Sequence, residues 1–155
     1  MKSTALAIAL TTLMMTAQTN AQNEAFPKAV QAAVDESRKA CEPDRSRLLK
    51  SFVSRRDVNG DKIADYILDY EAFECGGSAN FFCGTGGCTK QVFVSTPDGA
   101  FTKVLDDNVR NLRFAQVKGR PAMVLALHGS ACGKVGVAAC SKTLIWNGKA
   151  FSAQR

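Results

Sequence analysis

The sequence predicts an α+β fold: one N-terminal helix packed on a curved antiparallel β-meander of about six or seven strands, stabilised by disulfides. Three observations predict it. Apolar residues recur at helical spacing near the N-terminus, alternating runs separated by Gly-, Pro- and Asn-containing turns fill the chain after residue 60, and the cysteines number six. The 155 residues match one domain, and 46% hydrophobic with 22% charged residues excludes a disordered tail or a collagen-like repeat.

The first segment reads as a secretory leader rather than as part of the fold. Lys2 supplies a short positive start, residues 5–15 form an apolar run, and Thr19 and Ala21 place small residues at the −3 and −1 positions of a cleavage site before Gln22. Residues 1–21 are therefore expected to be a signal peptide and residues 22–155 a single exported domain, periplasmic or secreted. No later stretch approaches the ~20 apolar residues of a membrane helix, so no span is expected.

Phe26, Ala29, Val30, Ala33 and Val34 repeat every three or four residues, with Lys28, Gln31, Asp35, Glu36, Arg38 and Lys39 between them. This predicts an amphipathic helix over residues 27–40, opened by Pro27 and ended before Pro43. Residues 48–54 fit either a strand or a further helical turn. Tyr66, Leu68, Tyr70 and Ala72 then alternate with Asp65, Ile67, Asp69 and Glu71, as in a half-buried strand.

Three hairpins follow. Residues 91–96 and 100–105 flank Pro97-Asp98-Gly99, residues 111–117 and 122–128 flank residues 118–121, and residues 142–146 return through Asn147-Gly148 into residues 149–153. Residues 122–127 are apolar on both faces. They are expected to be the central strand, covered on one side by the helix.

All six cysteines (Cys41, Cys75, Cys83, Cys88, Cys132 and Cys140) follow the leader, and an even set in an exported chain reads as disulfides. Local spacing suggests Cys83–Cys88 and Cys132–Cys140, which leaves Cys41–Cys75. Zinc on Cys75, Cys83 and Cys88 is the rival reading, with spacings wider than those of the usual zinc motifs.

One segment carries recognisable ion chemistry. In Asp57-Val58-Asn59-Gly60-Asp61-Lys62-Ile63-Ala64-Asp65, oxygen-bearing side chains at alternate positions of a tight loop can converge on a hard cation. Asp57, Asn59 and Asp61 take positions one, three and five, Ile63 offers its carbonyl, and Asp65 stands at nine. This segment resembles the calcium loops of FG-GAP and VCBS-type repeats, whose motif reads Asp-x-Asn-Gly-Asp-Gly-x-x-Asp before an apolar strand. The resemblance, confined to this loop and the strand after it, implies a structural Ca2+. Lys62 replaces the motif's glycine, and Leu68 stands where an EF-hand has its bidentate glutamate. The alternative is an Asx-stabilised Asn-Gly turn with solvated acids.

Residues 83–88 form a cysteine-closed loop whose Gly84, Thr85, Gly86 and Gly87 can protrude into a partner. This loop is similar to that of periplasmic lysozyme inhibitors of the Ivy type, which also holds four residues between two cysteines. The resemblance implies inhibition of a cell-wall hydrolase such as lysozyme, although the histidine of that loop has no counterpart in residues 84–87.

Without Lys2 the 20 basic residues fall to 19 against 14 acids, a formal charge of +5. That excess suits an acidic envelope protein or a polyanionic polymer, and it opposes a basic lysozyme. Nucleic acid is not expected, since no aromatic-basic platform is present. His128 is the only histidine, and residues 128–132 lack the glycines of a nucleophile elbow. The expectation is a non-catalytic exported binding protein.

Overall fold

The computed structural model describes residues 25–153, so the predicted leader lies outside the described residues. Helix α1 spans Lys28–Cys41. Its buried stripe is Val30, Ala33, Val34, Ser37 and Cys41. Pro27 stands at its N-cap, where a missing N–H costs nothing, and Arg38 and Lys39 sit in the last turn, where cations complement the helix dipole. Glu42 turns extended before Pro43 and ends the helix.

Eleven strands follow among the described residues: β1 (Ser46–Leu48), β2 (Val53–Arg56), β3 (Asp65–Asp69), β4 (Phe73–Cys75), β5 (Cys83–Gly84), β6 (Gly87–Ser95), β7 (Phe101–Val109), β8 (Asn111–Val117), β9 (Arg120–Leu127), β10 (Cys140–Trp146) and β11 (Phe151–Ala153). The expected six or seven strands were too few because β1, β2, β4 and β5 are two to four residues long, too short to show alternation. Every pairing is antiparallel. In the first sheet β3 lies between β2 and β6, and β6 also pairs with β5 and β7; the second runs β11-β10-β9-β8, and β1 pairs with β4 apart from both.

The core has two parts, one on each face of the first sheet. Tyr66, Leu68 and Phe93 pack with Val30, Val34, Phe52, Tyr70 and Phe73 under α1. Ile67, Val92 and Val94 pack with Met123, Leu125 and Phe151 of the second sheet. The order of layers is thus helix, sheet, sheet, and β3 and β6 are the doubly buried strands. This corrects the expectation for residues 122–127. Strand β9 is interior to the second sheet, but α1 lies on the far side of the first one. The alternation at Tyr66 and Leu68 had made Ile67 look outward-facing, whereas a second apolar layer covers it.

The three hairpins are present. Between β8 and β9 the turn is only Lys118-Gly119, both at positive φ (51° and 73°), as a two-residue hairpin turn requires, and Pro121 belongs to β9. Between β3 and β4, Tyr70–Ala72 form a 3-10 turn instead of continuing the strand, because the Asp69 carboxylate accepts the Glu71 N–H at 3.0 Å.

The disulfides are Cys41–Cys75, Cys83–Cys88 and Cys132–Cys140, with no free cysteine among the described residues. Cys41–Cys75 ties the end of α1 to β4. No helix among the described residues is long and apolar enough to cross a membrane.

Candidate functional site

The Asp57–Asp65 loop joins β2 to β3, and its acids are held by backbone N–H groups. Asp57 accepts from Gly60 N–H at 2.6 Å and from Lys62 N–H at 2.9 Å. Asn59 Oδ1 accepts from Asp61 N–H at 3.1 Å, and Asp61 Oδ1 from Ile63 N–H at 2.8 Å. Lys62 adopts φ 70°, the left-handed conformation that the motif's glycine adopts without strain. Gly60, at φ 88°, lies so close to β9 that an added Cβ would stand 3.2 Å from Pro121 Cγ.

Asp65 is fully buried. One of its oxygens accepts from Val58 N–H at 2.8 Å, the other from Ser95 N–H at 2.9 Å and from the Ser95 hydroxyl at 3.2 Å. That hydroxyl also lies 2.6 Å from Asp61 Oδ2, so Ser95 links the loop to the end of β6. Burial pushes the Asp65 carboxyl above the ordinary carboxylate range; the Val58 and Ser95 bonds oppose this only in part, and the Asp61 charge adds to it. For Asp61, burial also pushes upward, but hydrogen bonds from Ser95, Ile63 and Asn59 together hold it lower than usual.

The oxygen-rich donor set of Asp57, Asn59, Asp61, the Ile63 carbonyl and Asp65 has the chemistry of a hard-cation loop. Its oxygens are turned to loop N–H groups and to Ser95, and an ion must compete with those bonds. Among the described residues no group of three or more His, Cys, Asp or Glu side chains is disposed to hold a metal.

The second candidate is built from two disulfide loops. Cys83 lies directly opposite Cys88 and Gly84 opposite Gly87, so residues 83–88 are a tight hairpin. Gly87 has φ 111°, and a Cβ there would stand 2.2 Å from the Val109 carbonyl, so only glycine fits. The Cys132–Cys140 loop follows a 3-10 turn, Gly129–Cys132. Arg110, between β7 and β8, bridges the two loops: its guanidinium donates to the Thr85 carbonyl at 3.2 Å and to the Gly136 carbonyl at 2.9 Å. Next to Gly136, Val135 and Val137 are 73% and 89% exposed. Gly84 and Thr85 are exposed, and Gly86 and Gly87 half-buried.

His128 caps the turn that opens the second loop. Its Nδ1 lies 2.8 Å from Ser130 Oγ, and its ring covers Gly136, where a Cβ would stand 2.3 Å from Nε2. Asp106 accepts from Lys103 and Gln91, and Asp107 accepts the Asn108 N–H.

Sequence reasoning missed Ser95, Arg110, Val135 and Val137. Ser95 merely ends an apolar strand. Arg110 acts on carbonyls 25 and 26 residues away in opposite directions, which no local pattern encodes. Val135 and Val137, five and three residues before Cys140, were legible as apolar, but their exposure was not. No protein-family model, curated protein or solved structure matches the chain.

Proposed function

We propose that the chain is an exported, non-catalytic binding protein whose partner-binding edge is the pair of disulfide loops. The observation that carries this is the Arg110 bridge: the Cys83–Cys88 and Cys132–Cys140 loops are fastened to one guanidinium while Val135 and Val137 stand out into solvent. A pre-ordered edge loses little conformational entropy on binding, and each valine contributes roughly 1.5 kcal/mol if fully buried by a partner. Arg110 is bonded to Gly136 between the valines and Lys134 directly precedes them, which favours a protein partner with an apolar pocket and an acidic rim. Three closed disulfides suit an oxidising compartment.

Chemical cross-linking of the protein in an envelope extract tests this. Wild type is expected to yield a discrete adduct that the Val135→Asp/Val137→Asp double variant loses and Arg110→Ala weakens, with far-ultraviolet circular dichroism unchanged. An adduct formed equally well by the double variant overturns the assignment of the edge. If the partner is a cell-wall hydrolase, as the Ivy-like loop implies, added protein lowers lysozyme or amidase activity in the same order of variants.

Ca2+ is proposed as a brace for the Asp57–Asp65 loop, held by Asp57, Asn59, Asp61, the Ile63 carbonyl and Asp65. Lys62 supports this reading, since it takes the backbone conformation that the motif assigns to glycine. The expected result is a saturable calorimetric signal with a dissociation constant of about 0.1–1 mM, the range of extracellular modules, abolished by Asp57→Ala/Asp61→Ala. A wild type that gives no heat ends this part of the proposal.

A further inference from the structure

The two sheets leave a cleft where their outer strands approach without pairing. Among the described residues β2 pairs only with β3, and β8 only with β9. Between them lies a cavity of about 370 Å³, within the ~300–1,000 Å³ of small-ligand sites. Its apolar wall is Ile67, Leu112 and Phe114, and its polar lining includes Ser54, Arg56, Lys90, Arg110 and Asn111. A second hollow of about 220 Å³, which reaches Asp57 and Gly60, shares Arg56 and Phe114 with the first. The two hollows thus adjoin as one groove at Arg56 and Phe114, whose guanidinium and ring centre lie 4.8 Å apart.

Three cations (Arg56, Lys90 and Arg110) and three acids (Asp57, Asp69 and Glu71) line the groove, but the acids are already engaged: Asp69 and Glu71 by Lys90, and Asp57 by the Gly60 and Lys62 N–H groups. Lys90 is buried and bonded to Asp69, with Glu71 at 3.5 Å, so its charge is matched. Neither Arg56 nor Arg110 has a carboxylate partner among the described residues. Arg110 spends its donors on two carbonyls, whereas among the described residues Arg56 rests on an aromatic face alone, a weak contact when exposed. A bidentate bond to an oxyanion is stronger than that, and moving the guanidinium onto a ligand would uncover the Phe114 ring for the ligand's apolar part.

We propose that this groove is a binding site for a small ligand that joins an oxyanion, carboxylate or phosphate, to a short apolar body, with Arg56 taking the anion and Leu112 and Phe114 the body. The site is distinct from the loop edge proposed above, with which it shares Arg110: its decisive side chains, Arg56, Leu112 and Phe114, come from β2 and β8, and neither loop disulfide lines the groove.

Titration of the 15N-labelled protein with 3-phenylpropanoate, phenyl phosphate and the neutral 3-phenylpropanamide tests it. The expected result is saturable shift changes confined to residues 53–57 and 111–116 with at least one anion and none with the amide. Response to only one anion identifies the oxyanion that the site takes. Arg56→Gln is expected to weaken binding about tenfold or more, and the exposed Ser54→Trp, which fills the cleft, to abolish it. Both positions are on the surface, so retained spectral dispersion separates lost binding from lost fold. Equal response to the amide, shifts scattered over the surface, unchanged affinity in Arg56→Gln, or no saturable response to either anion overturns the proposal.

Discussion

The Cys41→Ala/Cys75→Ala variant is expected to lose about 4 kcal/mol of unfolding free energy relative to the oxidised protein, the largest effect of any disulfide removal here. The bond spans 34 residues, against 8 for Cys132–Cys140 and 5 for Cys83–Cys88. Closing a longer loop removes more freedom from the unfolded chain, and the same entropy relation gives roughly 2.5 and 2 kcal/mol for the shorter two. Both Cys41 and Cys75 are buried in the cluster beneath α1, so their loss also removes packing between helix and β4. Small domains have only about 5–15 kcal/mol in total, so this loss takes roughly a quarter to four-fifths of it. Urea denaturation of the three double variants measures the order, and an equal or smaller loss for Cys41/Cys75 than for Cys83/Cys88 refutes it.

Asp65→Ala is expected to cost about 3 kcal/mol near neutral pH. It leaves the buried N–H groups of Val58 and Ser95 without their acceptor and cuts the tie between the β2–β3 loop and β6. Asp65→Asn keeps one carbonyl oxygen and is expected to recover part of the loss. The pH dependence runs in a defined direction. Burial, the largest influence, raises the Asp65 pKa in the folded state, so the fold holds that proton more tightly than the unfolded chain does. The contribution favours folding at acid pH and is withdrawn as pH rises from the ordinary carboxylate value through the raised one. Asp61 behaves oppositely: its lowered pKa contributes stability above the ordinary value, lost as pH falls through the lowered one. Denaturation midpoints of wild type and Asp65→Asn across acid to neutral pH should diverge as pH rises through the Asp65 window; parallel profiles contradict the raised pKa.

The elements with local signals were legible. The helix over residues 27–40 is found at Lys28–Cys41, and Asn147-Gly148 and Pro97-Asp98-Gly99 turn where their residue types require. The local cysteine spacings also gave the pairing that is present. What stayed hidden depends on a second partner across space. Ile67 reads as polar-side until β9 covers it, and Tyr70 reads as strand until Asp69 caps a 3-10 turn. For the sites, the Asp57–Asp65 loop was visible because one short segment supplies every oxygen. The Cys83–Cys88 half of the edge was visible too, as a cysteine-closed loop, but its fastening to the second loop and the groove were not, since Arg110 and Arg56 acquire their roles from residues brought in by other strands.

The sharing of β3 and β6 by both core clusters has a further consequence, for cooperativity. The second sheet is a sequential meander of hairpins, which by itself can form fast, within microseconds per hairpin. It has little to pack on until Val92 and Val94 are presented, and α1 lacks the centre of its packing surface until Leu68 and Phe93 are. Both depend on the same event, the zipping of β3 along β6, where Tyr66 meets Phe93 and Leu68 meets Gln91. Helix and hairpins should therefore melt in a single transition, with slowest amide exchange in β3 and β6, instead of peeling away as independent layers.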